Sequence, residues 1–491
     1  MYALRKNWCN ALLTATLLFT FSPITASAAD TSLLDALLQN GALTQEQYDS
    51  LASKESVSDE EVLSEATTPA ASETTVVLDD EVQAAIDEAV EQKVVKESPV
   101  KASYGSKGFR LESRDGNFQT NLQWRAQFRY SNPSGSDPRQ LDDFEEDTVS
   151  DFTLRRARMK IGGHGFKPWL KYYFEVDLQP ARDVEADAQS SAARVITWRA
   201  DIAKYEQLGL RVGQWKVGYN RERVDSSGRQ EFVERSIVNR VVTLDRQVGI
   251  AARGRLFKGS LADFRYDMGV YNGEGRSVAN EGKDHMYMGR LQWNFLKRDV
   301  PFRQSDVDFT EQPAASLAVA GASNVGRCTR WSSSGCGNLD GFEKPIAATE
   351  DQYKIQQAVQ ELAFKYRGFS IQQEWHRKFI DDRGNAAASI QPGNYDLTGF
   401  YFQSGYFFHG LWDWVPKKLE LAGRYAYVKE PNETDLYINN ERKEYTAVLN
   451  YFFNGHRNKL SMDVSHLTLD DGLVGVNADE NRVRFQWDVS F

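Results

Sequence analysis

Basic residues recur along this chain at even spacings: Arg125 and Arg129, Arg156, Arg158 and Lys160 with Arg155 beside them, Arg253 and Arg255, and Arg482 and Arg484. Even spacing puts side chains on one face of a β-strand. A guanidinium is planar and always charged, and its fork donates two parallel hydrogen bonds that match phosphate or carboxylate oxygens. Rows of such groups facing water attract anions and guide them along the row. Six more arginines, Arg221, Arg223, Arg229, Arg235, Arg240 and Arg246, fall within residues 218–246. They are interleaved with Glu222, Asp225, Glu231, Glu234 and Asp245, and Ser226, Ser227 and Gln230 add neutral donors. Hydrolytic chemistry is not indicated. The six histidines (164, 285, 376, 409, 456 and 466) sit in no G-x-S-x-G or H-E-x-x-H signature. No cofactor is expected.

The elements that must carry these arginines follow from a period of two. Phe118, Leu122, Trp124, Ala126, Phe128 and Tyr130 alternate with Gln119, Asn121, Gln123, Arg125, Gln127 and Arg129, and the chain closes with Val483, Phe485, Trp487, Val489 and Phe491 alternating with Arg482, Arg484, Gln486, Asp488 and Ser490. One face suits lipid and the other suits water, as a strand between bilayer and aqueous lumen requires. Sixteen strands are predicted, at 118–130, 152–162, 169–178, 194–203, 208–217, 247–257, 261–272, 285–296, 315–323, 355–367, 369–380, 397–408, 418–429, 443–453, 458–469 and 481–491. The signal is weakest at 315–323, and the phase of 208–217 is ambiguous. Short turns such as Lys258-Gly259-Ser260, Arg367-Gly368 and Asn454-Gly455 read as periplasmic. Long connections at 131–151, 218–246, 324–354 and 381–396 read as extracellular or folded inward. The fold class is therefore all-β: a 16-stranded antiparallel transmembrane β-barrel, preceded by a short helical or coiled periplasmic segment. A soluble sandwich would use strands of about five or six residues around one shared core.

With these phases the lumen receives sixteen basic and ten acidic residues, leaving aside 208–217. The last strand of a closed barrel pairs with the first. Arg482, Arg484, Arg125, Arg129, Arg156, Arg158 and Lys160 then share one wall, with Asp488 as its one assigned acid. The strand at 152–162 can be read in either phase, so Arg155 is an alternative to Arg156.

The amino terminus reads as a signal peptide over 1–29: Arg5 and Lys6, an apolar run from Ala11 to Phe21, and Ala26-Ser27-Ala28 for cleavage. Residues 30–102 hold 4 basic and 17 acidic residues, whereas 103–491 hold 53 and 52, so the net charge of −10 belongs to the segment before the barrel. Asp30 to Lys54 reads as two helices around Gly41, residues 55–75 as a linker, and Leu78 to Lys96 as a helix. That last helix is either a short coiled coil or a solvated acidic face. Cys328 and Cys336 remain after cleavage in a Ser- and Gly-rich loop. In an exported protein they are expected to form a disulfide, since no histidine or further cysteine lies near to complete a metal site.

Several stretches resemble the phosphate-selective porin O and P family: Leu210 to Val217 (LRVGQWKV), Glu231 to Ser236 (EFVERS), Asn239-Arg240, Arg246 to Gly249 (RQVG), Phe152 to Arg158 (FTLRRAR), Phe369 to Glu374 (FSIQQE) and residues 41–48 (GALTQEQY). The resemblance implies a sixteen-stranded, trimeric outer-membrane porin that passes phosphate or polyphosphate through an arginine-lined constriction. By position, Arg155, Arg156, Arg158 and the arginines of 218–246 match the kind of residue the family uses, without a one-to-one match to each phosphate ligand. The expected partners are outer-membrane lipid, small anions and two further copies of the chain, with no nucleic acid. The expected function is passive anion transport. A general porin, or an outer-membrane structural or tethering protein, is the alternative.

Overall fold

In the computed structural model, residues 99–133, 150–179, 193–333, 335–384, 393–475 and 477–491 are described, together with residues 38, 45, 48 and 49, which are helical. The signal peptide and nearly all of the helical, linker and coiled-coil readings lie outside the described residues. So does most of 131–151, and half of 381–396.

The chain runs β1 (Val100–Gly105), β2 (Gly108–Ser113), β3 (Gln119–Asn132), β4 (Asp151–Gly165), β5 (Lys167–Asp177), β6 (Arg194–Ile202), β7 (Gly209–Lys216), β8 (Arg246–Leu256), β9 (Phe264–Tyr271) and β10 (Met286–Trp293). It continues with β11 (Ala314–Gly326), β12 (Arg330–Ser332), β13 (Gly335–Gly337), β14 (Tyr353–Tyr366), β15 (Phe369–Asp382), β16 (Gly393–Tyr406), β17 (Leu419–Pro431), β18 (Asn439–His456), β19 (Asn458–Asp470) and β20 (Asn477–Ser490). Sixteen of these, β3 to β11 and β14 to β20, pair antiparallel with their neighbours. β20 closes the barrel on β3, from Val483 opposite Asn132 to Ser490 opposite Arg125. Each of the sixteen overlaps the span its alternation predicts.

Alternation sorts the side chains as the bilayer demands. On β15, Ser370, Gln372, Glu374, His376 and Lys378 are buried inward, while Trp375 and Phe379 are exposed outward. The ambiguous strand β7 resolves with Leu210 and Val212 outward and Arg211 inward, against Asp201. The weak strand β11 is real. Its inward face is Ser316, Ala318 and Ala320, so the polar half of the alternation is missing from the sequence. At the short-turn end, Phe364, Phe369, Tyr406 and Phe408 touch in sequence at centroid distances of 6.2, 6.2 and 5.1 Å, part of an interfacial aromatic girdle. Leu449, midway along β18 and facing outward, is a site where arginine should cost about 2–4 kcal/mol. Urea titration of the barrel refolded into lipid vesicles would detect that loss, and an unchanged midpoint would contradict the outward placement of this face.

Two features depart from the alternating rhythm. The β1–β2 hairpin, unforeseen in the sequence, extends the sheet by pairing β2 with the start of β3, Phe109 opposite Leu122. The connection between β10 and β11 lies at the short-turn end, yet it spans residues 294–313 and folds into the lumen, with Val300 and Ser305 fully buried.

Candidate functional site

The segment between β7 and β8, residues 217–245, folds into the barrel rather than over its surface; Val217, Tyr219, Glu222, Phe232, Val238 and Val242 are all at most 1% exposed. Its two helical turns are Arg221–Val224 and Ile237–Val242. It docks on an apolar patch of the inner wall, where Ile237, Val238 and Val241 join Ile355, Val359, Ile380, Leu397, Tyr401, Ala426 and Val428 in one core. Gly399 makes room for it: a Cβ there would lie 2.6 Å from Val238 Cγ1.

Wall carboxylates complete the docking by accepting from the segment's backbone. Glu361 takes the Arg221 N–H (2.9 Å), Glu374 the Glu222 N–H (2.6 Å), Glu444 the Ile237 N–H (2.9 Å) and Asp463 the Val233 N–H (3.3 Å). Buried amides need such partners. Acids that a count of inward positions treats as facing the permeant ion are therefore occupied on the far side of the segment.

Glu222 and Asp225 are buried inside the segment itself. Burial raises each carboxyl to about 7, opposed in part by Arg424 at Glu222 and by Arg221 at Asp225. A carboxyl whose pKa is raised by folding binds its proton more tightly when folded. Its support for the segment is intact below the ordinary carboxylate range and is lost as pH rises towards about 7. Open-channel current noise should therefore increase between about pH 4 and about pH 7 and level off above it, with Glu222→Gln/Asp225→Asn flattening the trend. A flat profile in the unmodified channel would contradict this.

The opposite wall faces a cleft lined by Arg155, Arg156, Arg158, Arg194, Lys216, Arg223, Arg235 and Arg246, with Asp177, Gln179, Ser227 and Ser333. A β-bulge between Gln127 and Phe128 makes Arg155 the extra residue of β4. The two phases of that strand are thus not alternatives: both Arg155 and Arg156 reach Glu234, at 2.9 and 3.4 Å, beside Arg129 at 2.8 Å. Burial alone would raise the Glu234 carboxyl, but Arg156, Arg129 and Arg155 more than offset it and hold it well below the usual carboxylate range.

Arg158 meets Asp177 (3.0 Å) and Glu175 (3.4 Å), Arg246 meets Glu175 and Asp245 (both 3.4 Å), and Arg223 holds Asp245 (3.1 Å). Arg235 donates to the carbonyls of Glu222 (2.9 Å) and Asp225 (2.8 Å) and to the side-chain amide oxygen of Gln230, and Lys216 to the carbonyls of Arg223 (2.9 Å) and Asp225 (3.2 Å). Burial, with Arg223 alongside, lowers Arg235 to about 9, which leaves it charged at neutral pH. Among the described residues the Arg194 Nε has no hydrogen-bond partner. Eight cations thus line the cleft, and among the described residues the acids that contact them number four: Glu175, Asp177, Glu234 and Asp245.

Several expected anion ligands are placed elsewhere. The wall expected to carry one acid carries more: Arg125 pairs with Asp488 (3.1 Å), Arg484 with Asp463 (2.7 Å) and Arg482 with Glu480 (2.6 Å). These three guanidiniums are neutralised by adjacent-strand or same-strand carboxylates. Arg221 is turned away, donating to Val300 O (2.9 Å) and lying 4.7 Å over the Phe302 ring. Arg240 lies 3.6 Å from Asp340, Arg253 3.7 Å from Asp267, and Arg255 donates to Asp263 at 2.8 Å. Arg229 is exposed within the barrel, and Lys160 has no acid partner among the described residues. Lys216 and Arg194, both in the cleft, were not among the expected residues. Lys216 ends the strand whose phase was ambiguous, and Arg194 begins its strand, where alternation carries least information. Cys328 and Cys336 are joined by a disulfide.

The family described as phosphate-selective porin O and P matches residues 128–491. The chain belongs to this family. It is an outer-membrane porin, a passive channel. No curated protein sequence matches it significantly. Among solved structures, the outer-membrane channel DcaP of Acinetobacter baumannii is similar with a TM-score of 0.50 at 11% identity, over 77% of this chain and 99% of that one. The anion-selective porin of Comamonas acidovorans has a TM-score of 0.45 at 11% identity, over 76% of this chain and 99% of its own. OmpF of Salmonella typhi has a TM-score of 0.49 at 12% identity, over 77% and 100%. At such identities the likeness to DcaP is one of fold.

Proposed function

We propose that this porin prefers small anions and that phosphate or polyphosphate is among them. The observation that carries the reading is the cleft between the inward segment and the β4–β8 wall, where, among the described residues, eight cations meet four acids and two of the cations, Arg235 and Lys216, donate to carbonyl oxygens rather than to carboxylates. Preorganised guanidiniums offer phosphate its bidentate hydrogen bonds without rearrangement. Assembly as a homotrimer is part of the proposal and rests on family membership, as is a cleaved leader over 1–29 followed by a periplasmic segment.

A weakly selective general porin is the second reading. It is favoured by Glu234, whose carboxylate already occupies the site between Arg129, Arg155 and Arg156. Chloride conductance of single channels, titrated with phosphate, separates the two. Saturable reduction of the chloride current supports a phosphate site, and a current indifferent to phosphate leaves only the general porin.

A further inference from the structure

Lys378 projects from β15 into the lumen and is fully buried, yet among the described residues its ammonium has no carboxylate partner. Its Nζ donates instead to two carbonyls, that of Val241 on the inward segment (2.7 Å) and that of Thr329 in the connection between β11 and β14. It also lies 5.9 Å from the centre of the Trp331 ring. An unpaired buried ammonium is expensive unless several acceptors and a ring face compensate for lost water. Here those acceptors come from two separate elements, so one atom joins the wall, the inward segment and the extracellular hairpin.

The hairpin is itself fixed. The Cys328–Cys336 disulfide brackets β12, Trp331 is fully buried, and its indole N–H donates to Gly273 O at 2.7 Å. Ser333 of the same hairpin lines the arginine cleft. The helical turn Ile237–Val242 ends on the carbonyls that Lys378 and Gln357 hold, the latter at 2.8 Å to Val242 O. Glu234 and Arg235 precede this turn and Asp245 and Arg246 follow it, so where the turn sits decides where the charges on both sides of it sit.

We infer that Lys378 and the disulfide-closed hairpin are positioning elements of the constriction: they clamp the inward segment at Val241, and releasing either one lets the segment move and widens the passage. The clamp acts on the dimensions of the channel, so it holds whichever ion is preferred.

Single-channel recording of Lys378→Met tests it, with barrel folding verified by heat-modifiable mobility. Mean conductance should rise about twofold with greater open-channel noise, and Lys378→Arg, which keeps the charge, should restore the unmodified values. Reducing the disulfide of the already folded channel with a phosphine should reproduce the Lys378→Met behaviour without relying on refolding. The disulfide takes two electrons from the phosphine and breaks, and water supplies the oxygen of the phosphine oxide and the two protons that make Cys328 and Cys336 thiols. Unmodified conductance and noise in either case overturns the clamp.

Discussion

Channels carrying Arg156→Gln and Arg158→Gln together should lose most of their anion preference. The two guanidiniums line the cleft, and Arg158 also holds Glu175 and Asp177. A unit charge about 6 Å from a permeant ion contributes about 0.7 kcal/mol in bulk water and about 3 kcal/mol at the effective dielectric of a protein surface. Even the weaker limit, doubled, is about tenfold in relative permeability. Asp177, released from Arg158, acts in the same direction, while Glu175 keeps Arg246 at 3.4 Å, so among the described residues six cations would face four acids. The reversal potential in a KCl gradient should move to near zero or to the cation side. A double variant with the unmodified reversal potential would show that selectivity is set elsewhere in the barrel. Arg125→Gln with Arg484→Gln is the informative contrast. Those arginines are paired with Asp488 and Asp463 at 3.1 and 2.7 Å, so the main result of removing them should be lower barrel stability.

Glu234→Gln should have the opposite sign. This carboxylate sits 2.8, 2.9 and 3.4 Å from Arg129, Arg155 and Arg156, and among the described residues it is the one acid beside the cleft that competes with an entering anion for three guanidiniums at once. The amide keeps the shape and one acceptor but removes the charge. Because the guanidiniums keep Glu234 ionised across the working range, acidifying the bath cannot substitute for the mutation. Anion preference should rise, and the phosphate concentration that halves the chloride current should fall by about tenfold, the worth of about 1.4 kcal/mol. Weaker phosphate block would mean that Glu234 orients the arginines more than it masks them.

How far the sequence discloses this site depends on which contacts are local. Strand positions are legible because Phe118 to Tyr130 and Val483 to Phe491 must meet lipid on one side and water on the other whatever the rest of the chain does. Even β11 is located, although its inward alanines mute the alternation. The lumen is different. Whether Glu361, Glu374 or Asp463 faces an ion or a backbone amide depends on a segment more than one hundred residues away in sequence, and no periodicity records that. The same holds for Arg221, whose partners are Val300, Pro301 and Phe302 of an inward turn at the opposite end of the barrel. The doubt over Arg155 and Arg156 had a structural origin, because a bulge places both beside Glu234.

The central claim is that surplus positive charge in the cleft makes the passage favour anions. Reversal potentials of single unmodified channels in a KCl gradient test it most directly. The account predicts the sign that corresponds to chloride crossing more readily than potassium, and a reversal potential at zero or on the potassium side would contradict it.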